Sequence, residues 1–445
     1  MLSLLGFVTV FAFLALIMTK RLSVHVALII VPALAALMGA PVSGEYAVTG
    51  IGKMMLDGIV KVAPVGIMIA FAILYFGLML DVGLFDPLVS KLIRLVKGDP
   101  VKVAVGTAIL TVLVALDGDG ATTFMITCSA MLPIYKRLNM RPLVLSGIIC
   151  LAAGAMNIIP WGGPTARAMA SLHVESANLF NPVLPAMIIG VLYTIFVAYI
   201  LGRRERKRLG LEGGAQEGDM PFDLEVELSE KEAATRRPAL FWFNLILTAV
   251  VIVALIRSWL PLAVIFMLGF AIAMPVNFPS LKDQQERINA WAGSMAFVAS
   301  MIFAAGIFTG VLTGTKMIQA MSTTLVSLIP ASLGSFLPVL VAVTSMPFSL
   351  VFTPDAYYFG VLPIISQTAS AFAIEPAVIG RAAILGQMTT GFPLSPLTAS
   401  TFILIGLCGV ELGEHQKHIF WWAFSTTIVM TVVCLLTGVL PFPRF

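Results

Sequence analysis

Residues 113–124 read Leu-Val-Ala-Leu-Asp-Gly-Asp-Gly-Ala-Thr-Thr-Phe. Two aspartates and two glycines stand in the middle of a run that is otherwise apolar enough to cross a membrane. A carboxylate at bilayer depth costs about 2.5–3.5 kcal/mol on insertion scales, so a pair of them marks a functional position by default. How the pair is read depends on whether the chain around it is embedded in lipid.

Composition answers that. Of 445 residues 59% are hydrophobic and 11% charged, against about 25% charged in soluble domains. Apolar stretches recur along nearly the whole length, each long enough to cross a hydrocarbon core of about 30 Å as a helix. The chain reads as an all-α polytopic membrane protein. Its formal charge of +4 does not signal a nucleic-acid partner, because the Lys and Arg sit in loops. Cys128, Cys150, Cys408 and Cys434 all fall in apolar segments without metal-ligand spacing and read as packing residues. The first apolar segment has no basic residue before it and no small-residue cleavage site after it, and reads as a retained span.

Full spans are expected at 2–18, 22–40, 64–84, 182–202, 239–256, 259–276, 292–313 and 417–440. Two stretches, 101–137 and 333–372, hold two apolar arms parted by a polar break, at Asp117–Gly120 and at Thr353–Asp355, and read as re-entrant hairpins. Two more, 142–172 and 376–412, are broken at Pro160-Trp-Gly-Gly-Pro164 and at Gly391-Phe-Pro-Leu-Ser-Pro396 and read as interrupted spans. That arrangement predicts about 10 spans plus 2 hairpins. With the N-terminus outside, it puts on the inner side Lys20, Arg21, Lys91, Arg94, Lys97, Lys102, Lys136, Arg137, Arg141, Arg203, Arg204, Arg206, Lys207, Arg208, Lys231, Arg236, Arg237, Lys282, Arg287 and Lys417. Only Lys53, Lys61, Arg167, Arg257, Lys316, Arg381 and Arg444 remain outside or within a span. Such asymmetry is the positive-inside rule, and counting either hairpin as a full crossing would collapse it.

Residues 203–238, hydrophilic and without apolar periodicity, read as a cytoplasmic linker between halves 1–202 and 239–445. Each half runs three spans, a hairpin, a broken span and a last span. Gly154-Ala-Met-Asn-Ile-Ile-Pro160 has a counterpart in Gly386-Gln-Met-Thr-Thr-Gly-Phe-Pro393, and Leu132-Pro-Ile134 in Leu362-Pro-Ile364. An odd number of crossings per half makes the copies face opposite ways. Inverted repeats with interrupted helices in matching places are the sequence sign of a secondary transporter with its site at the repeat interface.

Irregular backbone at membrane depth survives only when buried in protein or lining a watery cavity. Asp117 and Asp119, followed by Thr122 and Thr123, are candidates for cation coordination or proton carriage; the alternative is that they cap the return arm. Asp-x-Asp-Gly also opens a calcium loop, but the other ligands of that loop are missing. Asp355, after Thr353 and Pro354, is a candidate proton site or a plain helix cap. Asn157, Gly162, Gly163, Thr165 and Arg167 bracket one broken span, and Thr389, Thr390, Ser395, Thr398 and Ser400 the other. Each hydroxyl taken singly reads as a backbone-bonded Ser or Thr; their clustering at both breaks suggests binding. Arg167 offers the planar donors that suit a carboxylate. Arg381 could do likewise or snorkel to the surface. Trp161 could wall the site or anchor at an interface. His25, inside a predicted span close to its inner end, reads as structural.

Those motifs, with Thr19-Lys-Arg-Leu-Ser23, Phe71-Ala-Ile-Leu-Tyr-Phe-Gly77, Leu84-Phe-Asp-Pro-Leu88, Leu116-Asp-Gly-Asp-Gly-Ala-Thr-Thr123, Met131-Leu-Pro133, Tyr135-Lys-Arg-Leu138, Asn157-Ile-Ile-Pro-Trp-Gly-Gly-Pro-Thr-Ala-Arg167, Thr353-Pro-Asp-Ala-Tyr-Tyr-Phe-Gly360 and Ser395-Pro-Leu-Thr-Ala-Ser400, resemble the citrate-metal:proton symporter family (CitMHS) of the ion transporter superfamily. The resemblance implies a carrier, not an enzyme, that imports citrate as a complex with a divalent metal of the Mg2+ or Ca2+ class, driven by protons. It also implies a homodimer in the cell membrane with a scaffold and a moving, elevator-like transport region. No permanently bound cofactor is expected. On this chain the site would fall at the two hairpin tips and two broken spans. The charges agree: Asp117, Asp119 and Asp355 against Arg167 and Arg381 do not favour free citrate, a trianion near neutral pH. A metal-citrate complex carries about one net negative charge and offers its own cation to carboxylates, which suit hard divalent ions. Asp117 and Asp119 are then the metal candidates, and Asp119 or Asp355 the proton carrier.

Alternatives on the same plan are a sodium-coupled carboxylate or gluconate carrier and a cation/proton antiporter. Outside transport, paired intramembrane aspartates would suit an aspartyl protease, although the Gly-x-Gly-Asp pattern is absent. A channel would not accumulate its cargo.

Overall fold

The computed structural model describes residues 1–43, 46–87, 90–92, 99–211 and 230–442. Leu88, Arg94, Lys97, Arg444 and positions 212–229 of the linker lie outside them. The described residues form helices and turns without a strand. In chain order the helices are α1 (Leu2–Met18), α2 (Val24–Ser43), α3 (Ile51–Asp81), α4 (Pro100–Val114), α5 (Gly120–Arg137), α6 (Pro142–Met156), α7 (Gly163–Leu172), α8 (Ser176–Arg208) and the short α9 (Glu230–Thr235). After them come α10 (Phe241–Arg257), α11 (Leu262–Asn277), α12 (Leu281–Gly314), α13 (Met317–Leu328), α14 (Ala331–Gly334), α15 (Leu337–Phe348), α16 (Leu362–Ser370), α17 (Pro376–Ile384), α18 (Ala399–Cys408) and α19 (Leu412–Leu436). Seven described helices are long and apolar enough to cross a membrane. Large apolar side chains such as Leu192, Phe196, Trp242, Ile246 and Trp421 stand exposed along them, the surface a bilayer would cover.

Two long helices, α3 and α12, run antiparallel in close contact. Gly58 lies against the backbone of Gly306 and Gly310, so that a Cβ at Gly58 would collide with the Gly306 carbonyl. Small residues at the crossing let two backbones approach where lipid offers no hydrophobic drive. Further along, Gly66 abuts Phe303 and Gly77 abuts Trp291.

Several helices depart from the expected spans, among them α8 (Ser176–Arg208 against 182–202) and α12 (Leu281–Gly314 against 292–313). α3 begins at Ile51, not 64, and carries Lys53, Asp57 and Lys61 exposed on its first turns; a hydropathy window measures the apolar part of a helix, not the helix. α13 was not expected. At 12 residues it is too short to register as a span, yet it packs on α1, where Ser3 and Thr324 hydroxyls meet at 2.7 Å and Gly6 faces Met321. α19 begins at Leu412, not 417, and so takes His415 as well as His418 into the helix.

Candidate functional site

Four interruptions of helix converge. Between α4 and α5 the chain makes a 3-10 turn, Ala115–Asp117, then turns at Gly118 with φ +77°. That left-handed conformation favours glycine, and a Cβ there would also press on the Trp161 indole. Asp119 caps α5: its carboxylate accepts from the Ala121 amide at 3.4 Å, the Thr122 amide at 3.0 Å and the Thr122 hydroxyl at 2.6 Å. It is exposed. Asp117 is 6% exposed. Its Oδ1 accepts from the Asp119 amide at 2.9 Å and the Thr123 hydroxyl at 3.2 Å, while its buried Oδ2 has no partner. The two aspartates, alike in the sequence, therefore differ: one is a satisfied cap, the other a buried carboxylate with a vacant oxygen.

The gap between α6 and α7 faces this turn. Trp161 donates from Nε1 to the Leu116 carbonyl at 2.9 Å and stacks on Phe76 with ring centroids 5.5 Å apart. It is thus an internal wall of the site and not an interface anchor. Asn157 donates from Nδ2 to the Met388 carbonyl at 2.7 Å, joining the two broken spans. Gly162 has room for no side chain, because a Cβ would meet the Asn157 carbonyl, and Gly163 lies against the Met388 side chain. Thr165 donates to the Ile158 carbonyl at 2.6 Å, bridging the break it follows.

Arg167, on α7, reaches the tip of the second half. Its Nε donates to Asp355 Oδ1 at 2.7 Å. Both partners are largely buried, their side chains 10% and 13% exposed. The rest of the guanidinium is weakly held: Nη1 lies 3.3 Å from the Gly163 carbonyl and Nη2 3.8 Å from the Met301 thioether. Asp355 is not the cap of its helix. Thr353 does that work, its hydroxyl accepting from the Ala356 amide at 3.2 Å, and the chain then winds a π turn, Ala356–Val361, before α16. Single π turns inside helices are frequent at functional sites.

The gap between α17 and α18 completes the cluster. Phe392 stacks on Phe124 at 6.2 Å and touches Gly120, so this break meets the first hairpin tip. Ser349 donates to Gln387 Oε1 at 2.7 Å and accepts from the Met388 amide at 3.4 Å, and the Ser395 hydroxyl donates to the Ser349 carbonyl at 2.5 Å. Tyr358 donates to the Gln387 carbonyl at 2.9 Å, while Gln387 Nε2, buried, has no partner. Thr389 donates to the Ile384 carbonyl at 2.6 Å and Thr398 to the Phe392 carbonyl at 2.9 Å. Thr390 meets the Thr427 hydroxyl at 2.5 Å, and Ser400 is half-buried at the start of α18.

Several hydroxyls from the sequence reading are therefore occupied with backbone that the breaks expose. Arg381 is not part of the cluster: its Nε donates to the Asn178 carbonyl at 2.7 Å. His25 contacts the Phe297 carbonyl and Ser300, each at 3.2 Å. The reading missed Ser349 and Met301, which belong to no quoted motif, Tyr358 and Gln387, which lie inside quoted stretches without being singled out, and His415. That ring is fully buried, with Nδ1 3.0 Å from the Ser146 hydroxyl and Nε2 3.1 Å from the Pro393 carbonyl. It braces the second break against α6. Among the described residues no three His, Cys, Asp or Glu side chains converge to hold a metal ion, so any ion taken here would bring most of its ligands with it.

The citrate transporter family (CitMHS) matches residues 13–386. The chain is 54% identical over 442 residues to a citrate transporter of Bacillus subtilis (strain 168), covering 99% of this chain and 100% of that one. It is 49% identical over 438 residues to the Mg(2+)/citrate complex secondary transporter of the same organism, covering 98% and 99%. Among solved structures, the Alcanivorax borkumensis YdaH transporter shares the fold, with a TM-score of 0.59 over 99% of this chain and 100% of that one at 13% identity.

Proposed function

The chain belongs to the citrate transporter family, and on that premise we propose that it is a secondary active transporter that imports citrate as a divalent-metal complex by proton symport. The observation that carries this reading is the vacant, buried Oδ2 of Asp117 at a cluster whose charge is not positive. The four interruptions carry three carboxylates, Asp117, Asp119 and Asp355, and one guanidinium, Arg167, already paired to Asp355. A free trianion would meet net repulsion there. A magnesium- or calcium-class ion held by citrate needs few protein ligands and would take the open carboxylate oxygen; the relative that carries an Mg(2+)/citrate complex supports the same cargo.

In this reading the metal faces Asp117, with Asp119 fixing the turn that presents it. The proton resides on Asp355, and the citrate carboxylates meet Arg167, Asn157 and the exposed helix ends of the broken spans, beside Thr122, Thr123, Thr353, Ser395, Thr398 and Ser400. The protein sits in the cell membrane with its N-terminus outside and residues 203–238 in the cytoplasm, which the distribution of basic residues supports. Its two halves are inverted repeats and it works as a homodimer, a transport region moving against a scaffold.

Uptake of labelled citrate into proteoliposomes, with metal, pH and membrane potential varied separately, tests the reading. Uptake should require a divalent ion and an inward proton gradient. Undiminished uptake in excess chelator would refute the metal complex, and accumulation driven by sodium alone would favour a sodium-coupled carrier.

A further inference from the structure

The ion pair between Arg167 and Asp355 joins α7 to the tip between α15 and the π turn, two elements far apart in the chain. Its surroundings are otherwise free of charge. The π turn packs against α1, which carries no ionisable side chain, and against α16, which carries none either. It also packs on α12, which brings Met301 to Arg167, while that helix's charged residues, Lys282, Asp283, Glu286 and Arg287, lie toward its other end, where Arg287 faces Asp81 at 3.4 Å. From α7 it meets Arg167 alone among charged groups. Around Arg167, α17 brings Arg381, which is tied to the Asn178 carbonyl. α3 brings Lys61, near His173 beyond the end of α7, and the basic residues of α8 stand at its far end. The titratable neighbours on the π turn itself are Tyr357 and Tyr358, the latter engaged with the Gln387 carbonyl.

We infer that this pair is the coupling element of the carrier: a proton taken by Asp355 releases the Arg167 guanidinium to a carboxylate of the cargo. The inference rests on the proton-coupled citrate reading above. In the empty state the Asp355 carboxylate accepts from Arg167 Nε. A proton from the outer water adds to that carboxylate, giving the neutral acid and ending its charge on the pair. Arg167 is then a buried cation whose remaining contacts are a backbone carbonyl at 3.3 Å and a thioether at 3.8 Å, and a thioether is a weak acceptor. A guanidinium presents five donors in a fixed fork, so a citrate carboxylate can take two of them. When the cargo leaves inside, Asp355 returns its proton to water and pairs with Arg167 again.

Both incomplete states are disfavoured by the same physics. A protonated Asp355 without cargo leaves an uncompensated buried cation, the strongly unfavourable outcome of breaking a buried ion pair. Cargo without a proton must compete with the Asp355 carboxylate for one guanidinium. Proton and citrate therefore cross together, about one proton per cargo through this pair.

Calorimetric binding of Mg-citrate to the purified full chain, in buffers of different ionisation enthalpy between about pH 5 and 8, tests this. Wild type should take up about one proton per citrate bound at the upper end of that range. Asp355→Asn should bind citrate without taking up a proton; in proteoliposomes it should exchange citrate for citrate but no longer accumulate it on a proton gradient. Arg167→Gln should weaken citrate binding more than about tenfold. Wild type that binds Mg-citrate with no proton uptake at any pH in the range overturns the inference whether or not either variant folds, as does an Asp355→Asn protein that still takes up the proton. Wild type that binds no Mg-citrate at all overturns the citrate reading, and the inference falls with it.

Discussion

The amide of Asn157 donates to the carbonyl of Met388 at 2.7 Å, so the two broken spans are fastened to each other at the level of their breaks. Met388 itself stands at φ +57°, a left-handed conformation uncommon for a residue with a side chain. The bond satisfies a carbonyl that no helix uses and fixes the turn that carries it. The cluster at the centre of the protein is built from such cross-links, and they make it accessible to experiment.

Asn157→Leu removes the donor while keeping the volume. The Met388 carbonyl is then left unpaired, at a cost of about 1–3 kcal/mol, and the strained turn loses its tether. The variant should melt lower than wild type and lose most citrate uptake, with the larger effect on uptake. Thermal unfolding in detergent and initial uptake rates measure the two losses. A variant of normal stability and normal uptake would show that this cross-link is dispensable.

The two aspartates of the first tip should respond differently to the same change. Asn is as good a helix cap as Asp, so Asp119→Asn keeps the fold of α5 and most transport, whereas Asp119→Ala should lose about 1 kcal/mol of stability. Asp117→Asn keeps the acceptor for the Asp119 amide but removes the charge from the vacant oxygen. It should reduce metal-dependent citrate uptake more than about tenfold, since a neutral amide is a poor partner for a hard divalent ion. Uptake across a series of Mg2+ concentrations distinguishes them: Asp117→Asn should need far more metal and Asp119→Asn should not.

The contrast shows where sequence reasoning reached and where it stopped. Composition, loop-borne basic residues and interrupted apolar runs are one-dimensional properties, and they sufficed for an all-helical membrane protein, while the quoted motifs carried the resemblance to its family. Partners across the chain are not one-dimensional. Arg167 was readable as a carboxylate ligand, but nothing marked Asp355, 188 residues away, as the carboxylate it holds. Thr165 and Thr389 were readable as site hydroxyls, yet each bonds a carbonyl five to seven residues back because the break exposes it. His415 was hidden by hydropathy, which placed the start of its helix beyond it.

Gly118 should tolerate no side chain. Its φ of +77° costs an L-residue roughly 1–2 kcal/mol, and the added methyl would push on Trp161, whose indole holds the Leu116 carbonyl. Gly118→Ala should therefore lower the melting temperature and shift the tryptophan emission, with loss of uptake. Trp161→Phe, which keeps the stacking on Phe76 but drops the indole N–H, should lose the Trp161 contribution to the emission and still slow uptake. Normal transport by both variants would mean that the tip does not need its observed geometry.

Cys128 on α5 and Cys408 on α18 place their sulfurs 3.6 Å apart, both buried. Helices α5 and α18 pack directly on each other, with Phe124 and Phe392 stacked nearby, so the two helices form one packed unit here. If the pair moves together during transport, joining its two sulfurs constrains nothing that has to move. A membrane-permeant disulfide-forming oxidant such as diamide accepts the two electrons and two protons released as the S–S bond forms. It should yield a Cys128–Cys408 crosslink, seen by mass spectrometry, in a protein that still takes up citrate at a rate within about twofold of the reduced form. The double Ser variant, unable to form the bond, controls for oxidation elsewhere. Uptake that stops on oxidation of wild type but not of the double Ser variant would show that α5 and α18 separate during the cycle.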